Sequence, residues 1–168
     1  MPGRKTHAYV GLIAGLGYTA FQAKEQSTAN FSIEAAGGAF GGWWGGQLPD
    51  VFEPATSSWH RCLAHSGTTG AAIVSARSKL TGWQDYCRER AESCLLKLEA
   101  LNMVPHPSRP DLFVAAPTDQ WEHFLLFMQE VLWRFAAGIA NGLAAGYVSH
   151  LALDATTPRS IPLLMGRF

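Results

Sequence analysis

The chain has 168 residues, a formal net charge of zero at pH 7 and 48% hydrophobic residues. This length allows one domain with a substantial core, and the balanced charge argues against a broad nucleic-acid-binding surface, which needs clustered Lys and Arg. The three cysteines have no CxxC spacing, so they indicate neither a disulfide framework nor a zinc knuckle, and they fit a reducing compartment. We therefore predict a single domain over residues 1–168 that is cytoplasmic or associated with the inner membrane, and not secreted.

The N-terminal residues 1–23 resemble a signal peptide, because a basic start is followed by an apolar run. Cleavage after Ala23 would, however, place Phe21 where the cleavage site requires a small residue. We therefore interpret this stretch as a retained first helix, from about His7 to Lys24. The uncharged runs of the chain are Gly-rich and mostly shorter than the roughly 20 apolar residues of a membrane span. We expect a soluble protein or one bound at a membrane surface.

A second helix is predicted to begin near Asn30 or Ser32, either of which can cap it. Glu34 would then lie in the first turn, where the helix dipole favours an acidic side chain. Glycine pairs recur every four residues along this helix, at positions 37–38, 41–42 and 45–46. Each glycine costs a helix up to about 1 kcal/mol relative to alanine, so we expect close backbone contact with neighbouring helices as compensation. The alternative is a Gly-rich loop.

The segment LPDVFEPATSSWHRCLAHS concentrates side chains that can bind a metal. Four of them lie within sixteen positions, namely Asp50, Glu53, His60 and His65. Two prolines and a small polar run cannot continue a helix. We therefore predict a loop that carries both carboxylates, followed by a third helix that starts near His60 and continues to Leu80. Carboxylate and imidazole groups together are ligands that zinc, manganese or iron prefer.

The second half of the chain is predicted to hold two more helices. Helix four, from about Thr81 to Asn102, has an apolar stripe that includes Cys87 and Cys94 and is otherwise charged, as in an amphipathic surface helix. A proline-rich excursion follows it. The last helix is predicted over Gln120–Ala155.

Potential ligands stand at the ends of glycine rows in three of these helices. In the last helix, five residues spaced four apart share one face: Gly138, Gly142, Gly146, His150 and Asp154. Helix one has the same spacing in His7, Gly11 and Gly15, and helix two has it in Gly42, Gly46 and Asp50. An up-down bundle would bring these helix ends together. We therefore predict an all-α, compact up-down helical bundle with a metal site at one pole.

Two motifs near the ends of the chain also resemble a known family. LPDVFEPATSSWHRCLAHS and SHLALDATTPRSIPLL, together with Thr6-His7, are similar to the YdjM-like group of LexA-regulated, membrane-bound metal-dependent hydrolases. The family pattern has a PD pair, an HRxxxHS motif, an HxxxD motif followed by TPxGxPLL, and a Thr-His pair near the N-terminus. Helix four and the proline-rich excursion lie outside the resemblance, and four residues depart from the usual pattern: Phe52, Cys62, Ala64 and Ser160.

The resemblance implies a helical fold and a more distant similarity to zinc-dependent phospholipase C. It implies metal-ligand roles for His7, Asp50, His60, His65, His150 and Asp154. Many members carry a second Asp where this chain has Phe52, and Glu53 is the candidate to replace it as a ligand. We therefore expect one to three divalent ions, with zinc favoured over manganese or magnesium.

The leading functional hypothesis is a metal-dependent hydrolase of phosphoesters, acting on a small-molecule or lipid substrate. Glu53 is the candidate general base. Arg61 is the candidate contact to a phosphate oxygen, with a surface ion pair as its alternative. A phospholipid and a nucleotide are both compatible with this hypothesis. The alternatives are a non-catalytic, membrane-associated module in which the metal is structural, and a small integral membrane protein without a metal.

Overall fold

The computed structural model describes residues 3–53, 64–106, 108–115 and 120–156. These ranges contain six helices: α1 (Arg4–Ala23), α2 (Thr28–Gly45), α3 (Leu48–Phe52), α4 (Gly67–Ser75), α5 (Arg77–Leu101) and α6 (Gln120–Ala155). They also contain an antiparallel hairpin of β1 (Met103–His106) and β2 (Arg109–Ala115), which lies in the proline-rich excursion between α5 and α6. The predicted compact all-α bundle is confirmed, and the hairpin is an addition to it.

The four long helices alternate in direction. Gly11 packs on Gly46 and Gly15 packs on Gly42, so α1 and α2 are antiparallel. Helices α2 and α6 run parallel, because Gly138 packs on the backbone of Glu34 and Gly146 on that of Gly42. Helix α5 is antiparallel to α6, as the hydrogen bond from the Trp83 indole to the Ala136 carbonyl and the Cys94–Gln129 contact show. The order α1, α2, α5, α6 is therefore up, down, up, down.

Helix α2 is the centre of the bundle, and its glycine pairs explain why. Gly38 and Gly42 meet glycines of α1 on one side and of α6 on the other, while Gly37, Gly41 and Gly45 pack on the backbone of α6. A Cβ atom at any of these positions would overlap with a backbone or side-chain atom of a neighbouring helix. The glycine-rich stretch is thus a helix, as predicted, and backbone contact on two faces offsets its low helix propensity.

The start of α2 differs from the prediction, and so does the role of Glu34. Ser27 caps the helix by accepting a hydrogen bond from the Asn30 backbone N–H, so α2 begins before both predicted caps. Glu34 consequently lies beyond the first turn, and the proposed interaction with the helix dipole is wrong. It is instead fully buried and ion-paired with Arg88 of α5.

The region around the segment with the predicted metal ligands also differs from the prediction. Pro49 lies in the first turn of a short helix, α3, so Asp50 stands on a helix and not on a loop. The predicted start of helix three near His60 lies outside the described residues. Ser66 caps α4 through the Thr69 N–H, which makes His65 precede the helix. The predicted continuation to Leu80 is wrong, because α4 ends at Ser75 and α5 begins within two residues.

Replacement of Gly142 by alanine is expected to lower the free energy of unfolding by about 1–3 kcal/mol, the usual cost of overpacking. The added Cβ would overlap with the backbone of Gly38 and force α6 away from α2. Gly82→Ala is the matched control, because a Cβ at that helical glycine meets nothing within 4 Å and should stabilise α5 by up to about 1 kcal/mol. Urea titrations followed by circular dichroism measure both. Equal effects of the two changes would contradict the packing of α2 against α6.

Candidate metal centre

Two side chains that could bind a metal come from the last turns of α6. His150 and Asp154 are four residues apart, so helical geometry places them on one face, and both are buried. Nδ1 of His150 lies 2.8 Å from the carbonyl oxygen of Gly46, at the end of α2. A carbonyl only accepts hydrogen bonds, so Nδ1 carries the proton. The lone pair of His150 is therefore on Nε2.

His7 joins these residues from the first turns of α1. Its ring stacks on His150 with centroids 3.7 Å apart, and its Nε2 lies 3.4 Å from Oδ1 of Asp154. The close packing of Gly11 on Gly46 brings the start of α1 to the ends of α2 and α6. The glycine rows thus perform the function predicted for them, because bulkier residues would hold these helix ends apart.

His65 lies between the two helical segments that carry the remaining acids. Its Nε2 is 3.4 Å from Oδ1 of Asp50, 3.2 Å from Nε2 of His150 and 3.8 Å from Oδ2 of Asp154. Its Nδ1 is 3.2 Å from Oε2 of Glu53, which also accepts the His65 backbone N–H at 3.3 Å. A carboxylate accepts and does not donate, so Nδ1 of His65 donates its proton to Glu53, while Nε2 faces Asp50, His150 and Asp154.

Tyr147 holds this part of the chain against α6. Its hydroxyl donates to the carbonyl oxygen of Ala64, the residue before His65, at 2.5 Å. Burial, followed by the negative charge of Glu53, raises the pKa of Tyr147 to about 12. The hydroxyl therefore stays protonated at physiological pH and remains a donor.

Four potential ligand atoms lie near one another, and five of the six distances among them approach the spacing around a tetrahedral ion. They are Nε2 of His65, Nε2 of His150, Oδ1 of Asp50 and Oδ2 of Asp154. The five measured distances among them run from 3.2 to 3.8 Å. Bonds of about 2.0–2.2 Å to a tetrahedral zinc ion would put ligand atoms roughly 3.3–3.6 Å apart. These buried His and Asp groups could therefore hold a metal ion.

A second group shares two of these residues. His7, His150 and Asp154 also offer ligand atoms that lie within 4.8 Å of one another. His150 has a single free nitrogen, whereas Asp154 directs Oδ1 to His7 and Oδ2 to His65 and His150. The Asp154 carboxylate is thus placed to serve two positions at once.

The protonation states also suit a metal. Burial alone would raise the pKa of Asp50, but its interactions with His65, His150 and His7 outweigh burial and lower the pKa. Burial lowers the pKa of His150 more than the Gly46 carbonyl raises it. An ionised carboxylate and a neutral imidazole are the forms that bind metal ions.

Solvent reaches the centre beside Asp50. Its side chain is 26% exposed, whereas the side chains of His7 and Asp154 are at most 4% exposed and those of His65 and His150 are fully buried. A substrate or a water molecule would therefore approach from the side of α3.

The sequence prediction and the structure agree on which residues meet. His7, Asp50, His65, His150 and Asp154 come together at one pole of the bundle, and their function as ligands stays a prediction. Glu53 contacts the opposite nitrogen of His65 from the one that faces the cluster. His60 and Arg61 lie outside the described residues. Sequence reasoning missed the Gly46 carbonyl and Tyr147, and helical spacing from His150 is the one signal that could have indicated Tyr147.

Comparisons with family models, curated proteins and solved structures give no match to this chain. The resemblance to the YdjM-like family therefore rests on the motifs alone. Within the part of the chain that the structure describes, every helix falls short of the combined length and apolar character that a bilayer crossing demands.

Glu53→Gln is expected to weaken metal affinity by roughly 10–100-fold, the usual cost of losing a carboxylate that orients a histidine ligand. Glutamine cannot hold the Nδ1 proton of His65 with the same charge, so Nε2 becomes a weaker and less well-oriented ligand. Competition with a fluorescent chelator measures the affinity, and Glu25→Gln, an exposed acid at the far end of α1, is the control. Unchanged affinity with lost hydrolysis would instead make Glu53 the general base.

Proposed function

We propose that the protein is a metal-dependent hydrolase of phosphoesters. The observation that carries this proposal is the arrangement of His65 and His150. Both rings donate the Nδ1 proton, to Glu53 and to Gly46 respectively, so their Nε2 atoms lie 3.2 Å apart and face the carboxylates of Asp50 and Asp154. A divalent cation at this place would be attracted by both carboxylates and could take the two imidazole nitrogens as ligands.

The residues divide into two sets around this cation. Asp50, His65, His150 and Asp154 would hold one ion, and His7 with the second oxygen of Asp154 would hold another. Mixed imidazole and carboxylate donors suit zinc, with manganese or magnesium as alternatives. When bound, the metal supplies Lewis-acid polarisation of a phosphoryl oxygen and acidifies a coordinated water. Glu53 orients His65, and exposed Asp50 borders the route by which the substrate enters.

A non-catalytic module with a structural metal is the second candidate, and one observation favours it. Four protein ligands around the first ion would close its coordination shell, as in structural zinc sites, whereas a catalytic ion keeps an open position. A catalytic role would require an open position at the ion beside Asp50, since Asp50 is the most exposed of the candidate ligands. A protein that binds metal without turnover would fit the structural module.

The test combines metal analysis with an activity panel. Protein purified without a chelating tag is expected to carry zinc or manganese, and less than about 0.2 ion per chain after metal restoration would exclude the site. The metal-loaded protein is then assayed with phosphomonoesters, phosphodiesters and phospholipids in the presence of zinc, manganese or magnesium. Bound metal without hydrolysis of any substrate would support the structural module. The phospholipid arm also tests the proposed association with a membrane surface.

A further inference from the structure

A second feature of the same pole is a cleft of about 500 Å³ on the outer side of α1 and α2. Its walls are formed by Arg4, Lys5, Ala8, Tyr9, Trp43 and Gln47. This volume lies within the range of small-molecule sites, roughly 300–1,000 Å³. The lining is cationic and aromatic, and Ala8 is its one aliphatic residue.

The cleft carries two positive charges, from Arg4 and Lys5, that no carboxylate among the described residues neutralises. Arg4 and Lys5 occupy the first turn of α1, where the helix dipole disfavours cations. In the ranges that the structure describes, neither of them forms an ion pair with a carboxylate. An anionic ligand would relieve both the repulsion between the cations and their unfavourable interaction with the dipole.

Gln47 orients the arginine that faces this cleft. Its Oε1 accepts from Nε of Arg4 at 3.0 Å, and its own Nε2 donates to the carbonyl oxygen of Trp43 at 3.0 Å. The side chain of Gln47 is buried, so it is a rigid support. With Nε engaged, the terminal nitrogens of the guanidinium remain for the two oxygens of a phosphate.

Two exposed aromatic side chains stand beside these cations. Tyr9 is 65% exposed and Trp43 is 37% exposed. Trp43 is braced edge-on by Trp44, with ring centroids 5.1 Å apart. Planar bases stack on such rings whatever their sequence. An acyl chain, by contrast, needs an aliphatic wall, which this cleft does not provide.

The cleft and the candidate metal centre are neighbours along both helices. His7 lies on α1 between Lys5 and Ala8, and the rise of a helix puts it about 4.5 Å along the axis from Arg4. Gln47 directly follows Gly46, whose carbonyl holds His150. The cleft and the candidate metal centre therefore lie at the same ends of α1 and α2.

We propose that this cleft binds a nucleotide, with its phosphate at Arg4 and Lys5 and its base against Trp43 and Tyr9. The identification of that nucleotide as the substrate rests on the proposed phosphoesterase function, whereas the binding itself does not. The proposal favours a nucleotide over a phospholipid as the substrate.

The first experiment measures binding without catalysis. Adenosine 5′-monophosphate is titrated into chelator-treated full-length protein by equilibrium dialysis, with inorganic phosphate as a second ligand. The nucleotide is expected to bind at least about fivefold more tightly than phosphate, since one stacked base contributes on this scale. Equal affinities would overturn the proposal by reducing the cleft to an anion site.

Variants then assign the binding to the cleft. The double change Arg4→Gln with Lys5→Gln, and separately Trp43→Leu, should each weaken nucleotide binding at least about fivefold. Lys24→Gln, an exposed cation at the other end of α1, is the matched control and should have no effect. Circular dichroism establishes that each variant is folded. Unchanged binding in folded cleft variants would overturn the proposal.

A third arm separates the nucleotide from a lipid surface. Vesicles of phosphatidylcholine with phosphatidylglycerol are offered to the wild type and to the cleft variants. Vesicle binding that the cleft variants lose, without nucleotide binding by the wild type, would replace the nucleotide by an anionic membrane. Nucleotide binding by a protein that hydrolyses no phosphoester would contradict the proposed function but support the proposed nucleotide site in the cleft. Hydrolysis of a phosphoester without nucleotide binding would support the proposed function but contradict the proposed nucleotide site.

Discussion

Arg88→Met is expected to lower the free energy of unfolding by about 3–5 kcal/mol, the cost of leaving a buried charge without its partner. The Nε and Nη2 groups of Arg88 donate to the carboxylate of Glu34 at 2.8–3.2 Å. Glu34 is fully buried, so the variant would leave its carboxylate in the core with the amides of Gln26 and Gln84 as its remaining partners. Neither amide carries a positive charge, so neither offsets the cost of removing the Glu34 carboxylate from water.

This network closes the end of the bundle that lies opposite the metal centre. Arg88 also donates to the Gln22 carbonyl near the end of α1, so one guanidinium joins α1, α2 and α5. Urea denaturation of metal-free protein isolates its contribution from that of the metal. Arg90→Met is the matched control, because Arg90 lies two residues along the same helix and its cation–π contact with Trp133 is worth about 0.5–1 kcal/mol.

The double variant Glu34→Met with Arg88→Met should recover much of the loss, because replacement of a whole buried ion pair by apolar groups is often close to neutral. A double variant as unstable as the sum of the two single variants would contradict the pairing. Equal losses in the Arg88 and Arg90 variants would show that general packing of α5, and not the buried charge, carries the stability.

Asp154→Asn is expected to weaken metal binding by more than about 100-fold. Loss of an outer carboxylate already costs roughly 10–100-fold, and Asp154 contributes one oxygen to each ligand group. Asparagine keeps the shape of the side chain but loses its charge. Both ions, if two bind, should therefore be lost together. Elemental analysis and chelator competition measure the change, with Asp85→Asn on the surface of α5 as the control.

The same substitution should leave the metal-free protein at least as stable as the wild type. Without a cation, the carboxylates of Asp50 and Asp154 both lie within 3.8 Å of Nε2 of His65, and removal of one negative charge relieves the repulsion between the two carboxylates. Urea denaturation with a chelator present measures this effect. A metal-free Asp154→Asn protein that is clearly less stable than the wild type would indicate that Asp154 stabilises the fold directly, against the proposed role as a ligand.

Local spacing was sufficient to predict much of this fold. The period of four that links Gly138, Gly142, Gly146, His150 and Asp154 is a property of helical geometry, so it placed both candidate ligands on one face of α6 before any partner was known. Glycine rows have few uses in a helix other than close packing. They therefore indicated that the ends of the helices would meet. In the structure, His150 and Asp154 at the end of α6 meet His7 at the start of α1, as predicted.

The sequence predictions were wrong where local sequence did not indicate the tertiary contact or the position of a helix end. Glu34 suited the positive end of a helix, but its charge is met by Arg88, 54 residues away. The break between α4 and α5 was predicted after Leu80 but lies between Ser75 and Arg77, because the sequence from Gly67 to Leu101 contains no proline that would mark its position.

The sequence by itself determined which residue types converge, since helical periodicity and glycine spacing depend on local geometry alone. The tertiary structure decided which atom of each residue faces the centre. The Gly46 carbonyl, 104 residues before His150, sets the proton on that ring, and Glu53 does the same for His65. Hydrogen-bond partners across the fold choose between the two nitrogens of an imidazole, and no sequence spacing encodes that choice.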